Sequence, residues 1–495
     1  MASGPAHFLI VSLPAQGHIN PSLQLAKLLV RQGALVTFAT SVSVASRMLR
    51  RPDGGVGEGR VCFAPISDGY DQGFINDANS VQENMSDLRR RGSESLRDLI
   101  TSSAARGCPF SCIIYTLTLP WAAEVARELG VPSTLLWIQP AIVLDIYHYY
   151  FSGYKDSIVE IFSSASSIDL PGLPMKLASR DLPSFLLPMD TYAFVLPTFQ
   201  ELLEVQEKEA NQRVLVNTFD ALEPEALKAI GKYRMTGIGP LVPSAFLGGR
   251  DPWDTSFGGD LFQAGSTKDY MQWLDSQAEG SVIYLSFGTI AVISKRQTEE
   301  VARGLLATGR PFLWVIRPKE NKLHQKPQQQ QEEEGGEADE HINISCMEEL
   351  EKQGMIVPWC SQLEVLSHRS VGCFLTHCGW NSTLESVVCG VPVVAFPLWS
   401  DQGTNAKLLE EAWGTGVRVV KKRAAAEEED LGPEVVEASE IRRCVEAVMA
   451  ERREEVKGNA MRLKEMAMEA VREGGSSERN LRAFIEDVNG GKHPS

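Results

Sequence analysis

The sequence predicts an α/β protein built as two Rossmann-like, doubly wound halves, each a parallel sheet with helices on both faces, set against each other across a cleft. Three observations predict it. Short apolar runs bounded by turn residues alternate with helical patterns, once early in the chain and again late. The 495 residues exceed what one hydrophobic core organises, so at least two domains of roughly 200 residues each are expected. Between the two series, from about Pro243 to Thr267, lies a stretch dense in Gly, Pro, Asp and Ser with weak periodicity. The expected division is a first domain over 1–243, a linker over 244–267, a second domain over 268–473 and a C-terminal helix over 474–495 that packs back on the first domain.

Phe8 to Leu13 reads as a first strand, Ser22 to Arg31 as a helix, and Leu35 to Thr40, beyond the turn at Gly33, as a second strand. Ser111 to Tyr115, Trp121 to Leu129 and Pro132 to Trp137, with Gly130 at the turn, repeat the unit. In the second half the strand Ser281 to Phe287 precedes a helix over Arg296 to Thr308 and strands at Phe312 to Ile316 and Met355 to Pro358. Gly372 to Thr376, a helix near Ser382 to Cys389 and Val391 to Phe396 complete the pattern. Lys319 to Glu340 holds Gln328 to Gln331 and Glu332 to Glu334, too polar to bury itself, and is expected to be a mobile surface loop. After the break at Gly474 to Ser477, Leu481, Phe484, Ile485 and Val488 recur at helical spacing, so the last helix needs a partner surface.

Composition narrows the function. Lys plus Arg at 48 against Asp plus Glu at 64 leaves a net charge of −16, which repels polyanions and excludes nucleic acid as the expected partner. Any phosphate must therefore be held by local geometry. Nine scattered cysteines, without a CxxC pair or zinc-ligand spacing, point to reduced thiols and no structural metal. The first apolar stretch is too short for a signal peptide and lacks its basic flank, and Leu135 to Ile146 is broken by Gln139, Pro140 and Asp145, so it cannot span a bilayer. A cytosolic monomer with no membrane partner is the expectation.

The informative segment is Trp359 to Gln402, 44 residues reading WCSQLEVLSHRSVGCFLTHCGWNSTLESVVCGVPVVAFPLWSDQ. A strand ends at Thr376, a turn follows through His377, Cys378, Gly379, Trp380, Asn381 and Ser382, and a helix then runs to Gly390. Such a turn presents free backbone N–H groups and the positive end of a helix dipole, which together bind a phosphate or diphosphate. His377, Asn381 and Ser382 add side-chain donors, and Gly379 lets backbone approach a ligand closely. The same letters admit a purely structural reading, because Ser382 with Glu385 three residues on is also a capping box. Trp359 alone could also be core, since a lone Trp after a strand is more often packing than a base-stacking platform.

The whole block resembles the signature box of the plant secondary-product UDP-glycosyltransferases, with its WCxQ start, HCGWNS centre, Glu three residues after Ser and terminal DQ. The resemblance extends to YLSFGT at Tyr284 to Thr289, to LPAQGHINP at Leu13 to Pro21, and to the two-half layout. It implies the GT-B architecture, with the acceptor in the first domain, the UDP-sugar in the second and reaction in the cleft. Carried over position by position, it implies that Trp359 stacks on uracil, Cys360 offers backbone hydrogen bonds, and Gln362 and Glu385 hold the ribose. It further implies that Ser286, Thr289, His377, Asn381 and Ser382 bind the diphosphate, and that Trp380, Asp401 and Gln402 meet the sugar hydroxyls. Gln at position 402 accompanies glucose in this family, so UDP-glucose is the expected co-substrate. No cofactor is implied, and with no Asp-x-Asp pair at the diphosphate site no metal is expected.

His18 follows Gly17 and precedes Asn20 and Pro21, which read as the N-cap and first residue of the first helix. The resemblance makes His18 the general base that deprotonates the acceptor hydroxyl in a single inverting displacement. Relatives usually pair this His with an Asp in a Tyr-Asp-x-x-x-Pro-Trp pattern, and here Tyr115 to Trp121 places Thr116 there. A threonine can orient an imidazole but cannot stabilise imidazolium as a carboxylate would. That deficit matters for a phenol of pKa about 10 and little for a carboxylic acid already ionised near about 4. Acceptors of the flavonoid or anthocyanin kind and carboxylic acids of the hormone kind both stay open. Ile138 to Tyr150 and Leu182 to Phe199 are the expected pocket walls. A rival reading, a UDP-sugar-binding protein without turnover, is permitted by Thr116. A dehydrogenase or P-loop kinase is set aside because neither GxGxxG after the first strand nor GxxxxGK[ST] occurs.

Overall fold

The computed structural model describes the chain except residues 1–3, 50–60, 72–80, 165, 188–192, 210, 249–250, 258–267, 290, 292, 318–343, 423–433 and 491–495. The low-complexity run at 319–340 and much of the Gly-rich stretch before Thr267 thus lie outside the described residues.

Among the described residues fifteen strands form: β1 His7–Val11, β2 Leu35–Ala39, β3 Val61–Phe63, β4 Cys112–Thr116, β5 Ser133–Trp137, β6 Ser167–Ile168, β7 Leu177–Ala178, β8 Arg213–Val216, β9 Arg234–Gly237, β10 Val282–Ser286, β11 Phe312–Val315, β12 Met355–Val357, β13 Val371–Thr376, β14 Val393–Ala395 and β15 Gly416–Arg418. Seven of them make one parallel sheet in the order β3-β2-β1-β4-β5-β8-β9, and six make a second in the order β12-β11-β10-β13-β14-β15. β6 and β7 pair separately as a short antiparallel ribbon. The central strands β4, β5 and β10 are buried at every residue, as continuous apolar runs covered by helices on both faces must be.

In both sheets the order reverses once, between β1 and β4 in the first and between β10 and β13 in the second. Ligands of open parallel sheets bind at such switch points, beyond the carboxyl ends of the strands. In the second sheet the two strands end level, with Ser286 of β10 in register with Thr376 of β13.

The last helix, Ser476–Gly490, lies on the first sheet rather than the second. Ser477 donates to the Gly239 carbonyl at 2.6 Å, Asn480 to the Gly237 carbonyl at 2.8 Å, and the Phe484 ring lies 5.6 Å from that of Phe8. Its apolar stripe finds a surface made by the opposite end of the chain. The segment after Pro243 is tied down as well, because Asp254 pairs with Lys27 at 2.7 Å and with Arg31 at 3.1 Å on the first helix.

Two helix starts differ from the sequence reading. The first helix runs Gln16–Arg31, four residues ahead of Asn20, with Ala15 as N-cap. His18 therefore sits inside its first turn, and Pro21 is interior, not the first helical residue. Proline lacks the N–H that would reach the Gly17 carbonyl four residues back, and the helix tolerates it because another residue satisfies that carbonyl. The helix after β13 runs Trp380–Cys389 with Gly379 as N-cap and no side-chain cap. Ser382 is thus in the first turn and the capping box does not form. Strands β3, β8, β9 and β15, short and without clean turn signals, were not legible as elements in the sequence.

Candidate active site

The site grows from the two switch points. After β1 the chain turns into the helix Gln16–Arg31, whose first turn carries His18, and β4 ends at Thr116, which is fully buried. His18 Nδ1 lies 3.1 Å from Thr116 Oγ1, which also accepts the Leu13 N–H at 3.3 Å. His18 is half-buried, and desolvation lowers its pKa to about 4. The ring is neutral at physiological pH. For Nε2 to accept a proton, Nδ1 must carry the hydrogen and donate it to Thr116 Oγ1.

Across the cleft, His377 follows β13 and stands between two glycines. A Cβ on Gly288 or on Gly379 would lie 2.6 Å from His377 Nε2, so the loops after β10 and β13 meet around this ring only because both lack side chains. Burial lowers the His377 pKa to about 4, partly offset by a hydrogen bond with the Ser286 backbone. Cys378 is left-handed, with φ 64, and the helix Trp380–Cys389 starts two residues later. Its first-turn N–H groups have no intrahelical acceptor and form an anion-binding end. Thr289, on the loop after β10, is exposed.

A second cluster lies beside this turn. Gln362 accepts from Tyr284 Oη at 3.0 Å through its carbonyl and donates to Ser382 Oγ at 2.9 Å and to Glu385. Tyr284 Oη also lies 3.4 Å from Cys360 Sγ. Glu385 and Cys360 are buried, and Trp359 is half-buried at the carboxyl end of β12. Desolvation pushes the Cys360 and Cys378 thiols up to about 12, so neither is a nucleophile at neutral pH.

The third cluster follows β14. Gln402 accepts the N–H groups of Leu398 at 2.8 Å and Trp399 at 3.1 Å through Oε1, which pins its carbonyl and leaves the amide hydrogens facing away. Asp401 accepts from Asn405 at 2.8 Å, and burial raises its pKa against hydrogen bonds that include one from Gln139 of the first domain.

Two residues carry contacts that their place in the box did not foretell. The Trp380 indole is buried and donates Nε1–H to the Asn217 carbonyl beyond β8 at 2.8 Å. Its side chain is therefore turned from the cleft towards the first domain, and its backbone N–H is the group left for a ligand. Asn381 Nδ2 donates at 2.9 Å to the Gly17 carbonyl, the one that Pro21 cannot reach. A proline read from sequence as a helix start thus leaves an acceptor for the other domain, one residue from His18.

Among the described residues no three His, Cys, Asp or Glu side chains gather as a metal site, and no helix is long and apolar enough to cross a membrane. Among the described residues, three non-glycine residues adopt left-handed backbone, Thr118, Cys378 and Ser400, with φ of 71, 64 and 59. Thr118 and Cys378 each lie two residues beyond the carboxyl end of a strand, β4 and β13, and Ser400 lies on the loop after β14; strain of about 1–3 kcal/mol each is held in place by the surrounding structure.

Two nucleotide-binding folds face each other, with an imidazole on one wall and an anion-binding turn on the other. This is the build of a group-transfer enzyme using a nucleotide-activated donor. Residues 257–467 match the family model described as UDP-glucoronosyl and UDP-glucosyl transferase. The chain is 55% identical over 490 residues, 98% of each chain, to crocetin glucosyltransferase, chloroplastic, of Gardenia jasminoides. It is 54% identical to phloretin 4'-O-glucosyltransferase of Malus domestica, covering 97% of each chain. It is 49% identical to anthocyanidin 3-O-glucoside 5-O-glucosyltransferase of Verbena hybrida, covering 98% of this chain and 99% of that one. Among solved structures, Os79 from O. sativa in complex with UDP superposes with a TM-score of 0.82 at 33% identity, over 97% of this chain and 100% of that one. The chain belongs to the plant UDP-glycosyltransferase family and has its GT-B fold.

Proposed function

We propose that this glycosyltransferase moves glucose from UDP-glucose, with inversion, to the hydroxyl or carboxyl group of a small lipophilic plant metabolite. The carrying observation is the neutral His18, hydrogen-bonded to Thr116 and facing, across the cleft, the turn from His377 to Ser382.

The acceptor oxygen attacks the anomeric carbon, the bond from that carbon to the β-phosphate oxygen breaks, and UDP leaves with the electron pair. A hydroxyl acceptor gives its proton to His18 Nε2, whereas a carboxylate has none to give. The first-turn N–H groups after Gly379, with His377 and Ser286, take up charge on the diphosphate. Tyr284, Gln362, Ser382 and Glu385 form a polar group suited to a ribose, and Trp359 offers an aromatic face to the base. The free amide hydrogens of Gln402 and the Asp401 carboxyl suit sugar hydroxyls.

Relatives are named for crocetin, phloretin and anthocyanidin 3-O-glucosides, which supports a small plant metabolite as acceptor. Nine cysteines without a disulfide among the described residues fit a reducing compartment and a cytosolic enzyme. The test is incubation of purified protein with UDP-glucose and a panel of phenols, flavonoids and carboxylic acids, reading UDP release and products. Alkali-labile esters identify a carboxylate acceptor and stable glycosides a hydroxyl. Tight UDP-glucose binding with no product from any acceptor would overturn the catalytic reading in favour of a donor-binding protein.

A further inference from the structure

The loop after β14 that carries Asp401 and Gln402 takes its shape from the other domain. Ser400, left-handed at φ 59, donates its N–H to Ser184 Oγ at 2.8 Å, and its carbonyl accepts the Ser184 N–H at 2.9 Å. Both bonds of this reciprocal pair go to one residue of the first domain. Three residues upstream, the Asp181 carboxylate is only 1% exposed. It accepts from Arg418 Nη1 at 2.7 Å and from the Ala178 N–H at 3.0 Å, and it faces Lys407 Nζ at 3.6 Å. The Asp181 carbonyl accepts from Thr404 Oγ1 at 2.6 Å.

These partners bracket the loop. Ser184 grips Ser400, immediately before Asp401, while Asp181 grips Thr404 and Lys407 on the helix that starts at Gln402. The two backbones touch between them, since a Cβ on Gly403 would lie 2.5 Å from the Arg180 carbonyl oxygen. Phe185 meets Trp399, the residue before Ser400, edge to face at 5.8 Å and stacks on Phe199 at 6.0 Å. A buried ion pair of this kind adds little net stability compared with an apolar pair, because desolvation offsets its attraction. What it does fix is direction, since a carboxylate accepting from a guanidinium tolerates few orientations.

We propose that Asp181 and Ser184 are positioning residues that set the enzyme's choice of donor sugar by holding Asp401 and Gln402 in place from the opposite domain. The proposal rests on the reading that Asp401 and Gln402 bind the transferred sugar. It makes sugar discrimination a property of domain contact: the segment from Leu177 to Leu187, in the acceptor half, shapes the loop that reads the donor. UDP itself, which lacks the transferred sugar, is bound elsewhere in the second domain and is indifferent to this bracket.

The test compares wild type with Asp181→Asn, Ser184→Ala and Thr404→Val. Measured are kcat and KM for UDP-glucose and UDP-galactose, Kd for UDP by calorimetry, and Tm. The expected result is a UDP Kd within about twofold of wild type and a glucose-to-galactose ratio of kcat/KM that falls by about fivefold or more, the range that one or two misplaced hydrogen bonds command. Ser184→Ala keeps the ion pair and decides the matter if Asp181→Asn fails to fold. Equal losses with both donors, or a UDP affinity that weakens in step with activity, would show a merely structural role and overturn the proposal. A wild-type enzyme that binds UDP yet transfers neither sugar overturns the function reading and the proposal with it. A wild type that transfers glucose while every variant keeps its discrimination overturns the proposal alone.

Discussion

Replacing Thr116 by Asp converts the hydrogen-bond partner of the base into a carboxylate, and the structure sets the size of the effect. His18 Nδ1 lies 3.1 Å from Thr116 Oγ1 in surroundings that bring its pKa to about 4. A carboxylate in that place would stand roughly 4 Å from the imidazolium charge, an attraction of about 4 kcal/mol at an effective dielectric constant of about 20. That corresponds to a rise of up to about three pKa units, to near 7 at most, before the carboxylate's own burial is subtracted. Because the reacting form is neutral imidazole, activity is lost as pH falls through this pKa. The acid limb of kcat/KM for a phenol should therefore move up from about 4 in wild type towards about 6–7 in Thr116→Asp. At pH 8 both imidazoles are neutral and the variant is the stronger base. If a third of the attraction is felt in the transition state, phenol turnover rises about tenfold. A carboxylate acceptor is already ionised and gains nothing. The assay is a pH–rate profile with one phenol and one carboxylic acid, alongside Tm to register the cost of a new buried charge. An acid limb that stays near 4, or an equal change with both acceptors, would refute the assignment of His18 as a base oriented by residue 116.

Pro21→Ala supplies the N–H that the Gly17 carbonyl lacks and competes with Asn381 without touching it. Both Pro21→Ala and Asn381→Ala should lower kcat by about 3–10-fold, the worth of one hydrogen bond near the base, and the double variant should be no worse than the poorer single one; fully additive losses would show two independent roles. Gly288→Ala should abolish UDP binding measured by calorimetry, because the new Cβ meets His377 at 2.6 Å and φ 77 adds about 1–2 kcal/mol of strain; retained micromolar binding would show that the His377 ring is free to move. Asp145 is fully buried, and neither carboxylate oxygen has a hydrogen-bond partner among the described residues. Desolvation first, and the charge of Glu223 second, raise its pKa well above the usual carboxylate range. With the folded pKa above the unfolded one, the stability it contributes is present below about pH 4 and lost as pH rises through the folded pKa. Asp145→Asn should therefore raise Tm more at pH 8 than at pH 5, and an equal shift at both would remove the titration from the account.

Much of this site was legible because the box packs its chemistry into one contiguous segment. The central strands announced themselves as unbroken apolar runs, since both faces of a covered parallel sheet are buried and no alternation confuses the period. Short peripheral strands such as β3 and β15, of three residues each, carry too few positions to show any period. What the sequence did not show is what joins distant segments. Asn217 and Trp380 are 163 residues apart and Asp181 and Arg418 are 237 apart, and nothing local at any of the four marks the contact. Pro21 is instructive in the opposite way. Its letter pattern with Asn20 fits a helix start, and the pattern misled because a hydrogen-bond donor from the second domain, Asn381 Nδ2, removed the cost of an interior proline.

The contacts between domains share a common logic. Trp380 and Asn381, at the start of the helix after β13, and Ser400, on the loop after β14, belong to the second domain, yet each gives a polar group to first-domain backbone or side chain, at Asn217, Gly17 and Ser184. The wall that would meet the donor is thus partly built from the wall that carries His18, and Gly17 is the residue next to it. Displacing either domain breaks bonds that orient both His18 and the loop of Asp401 and Gln402. A hydroxyl can be deprotonated usefully only while the anomeric carbon stands opposite, and coupling through shared hydrogen bonds makes the two conditions hold together. Ser400, left-handed at φ 59, is held in that conformation by its contact with Ser184. With His18 as the proposed base, the deficit left by Thr116 would be partly answered by geometry: a weak base fixed against a fixed donor loses in proton affinity what it keeps in placement.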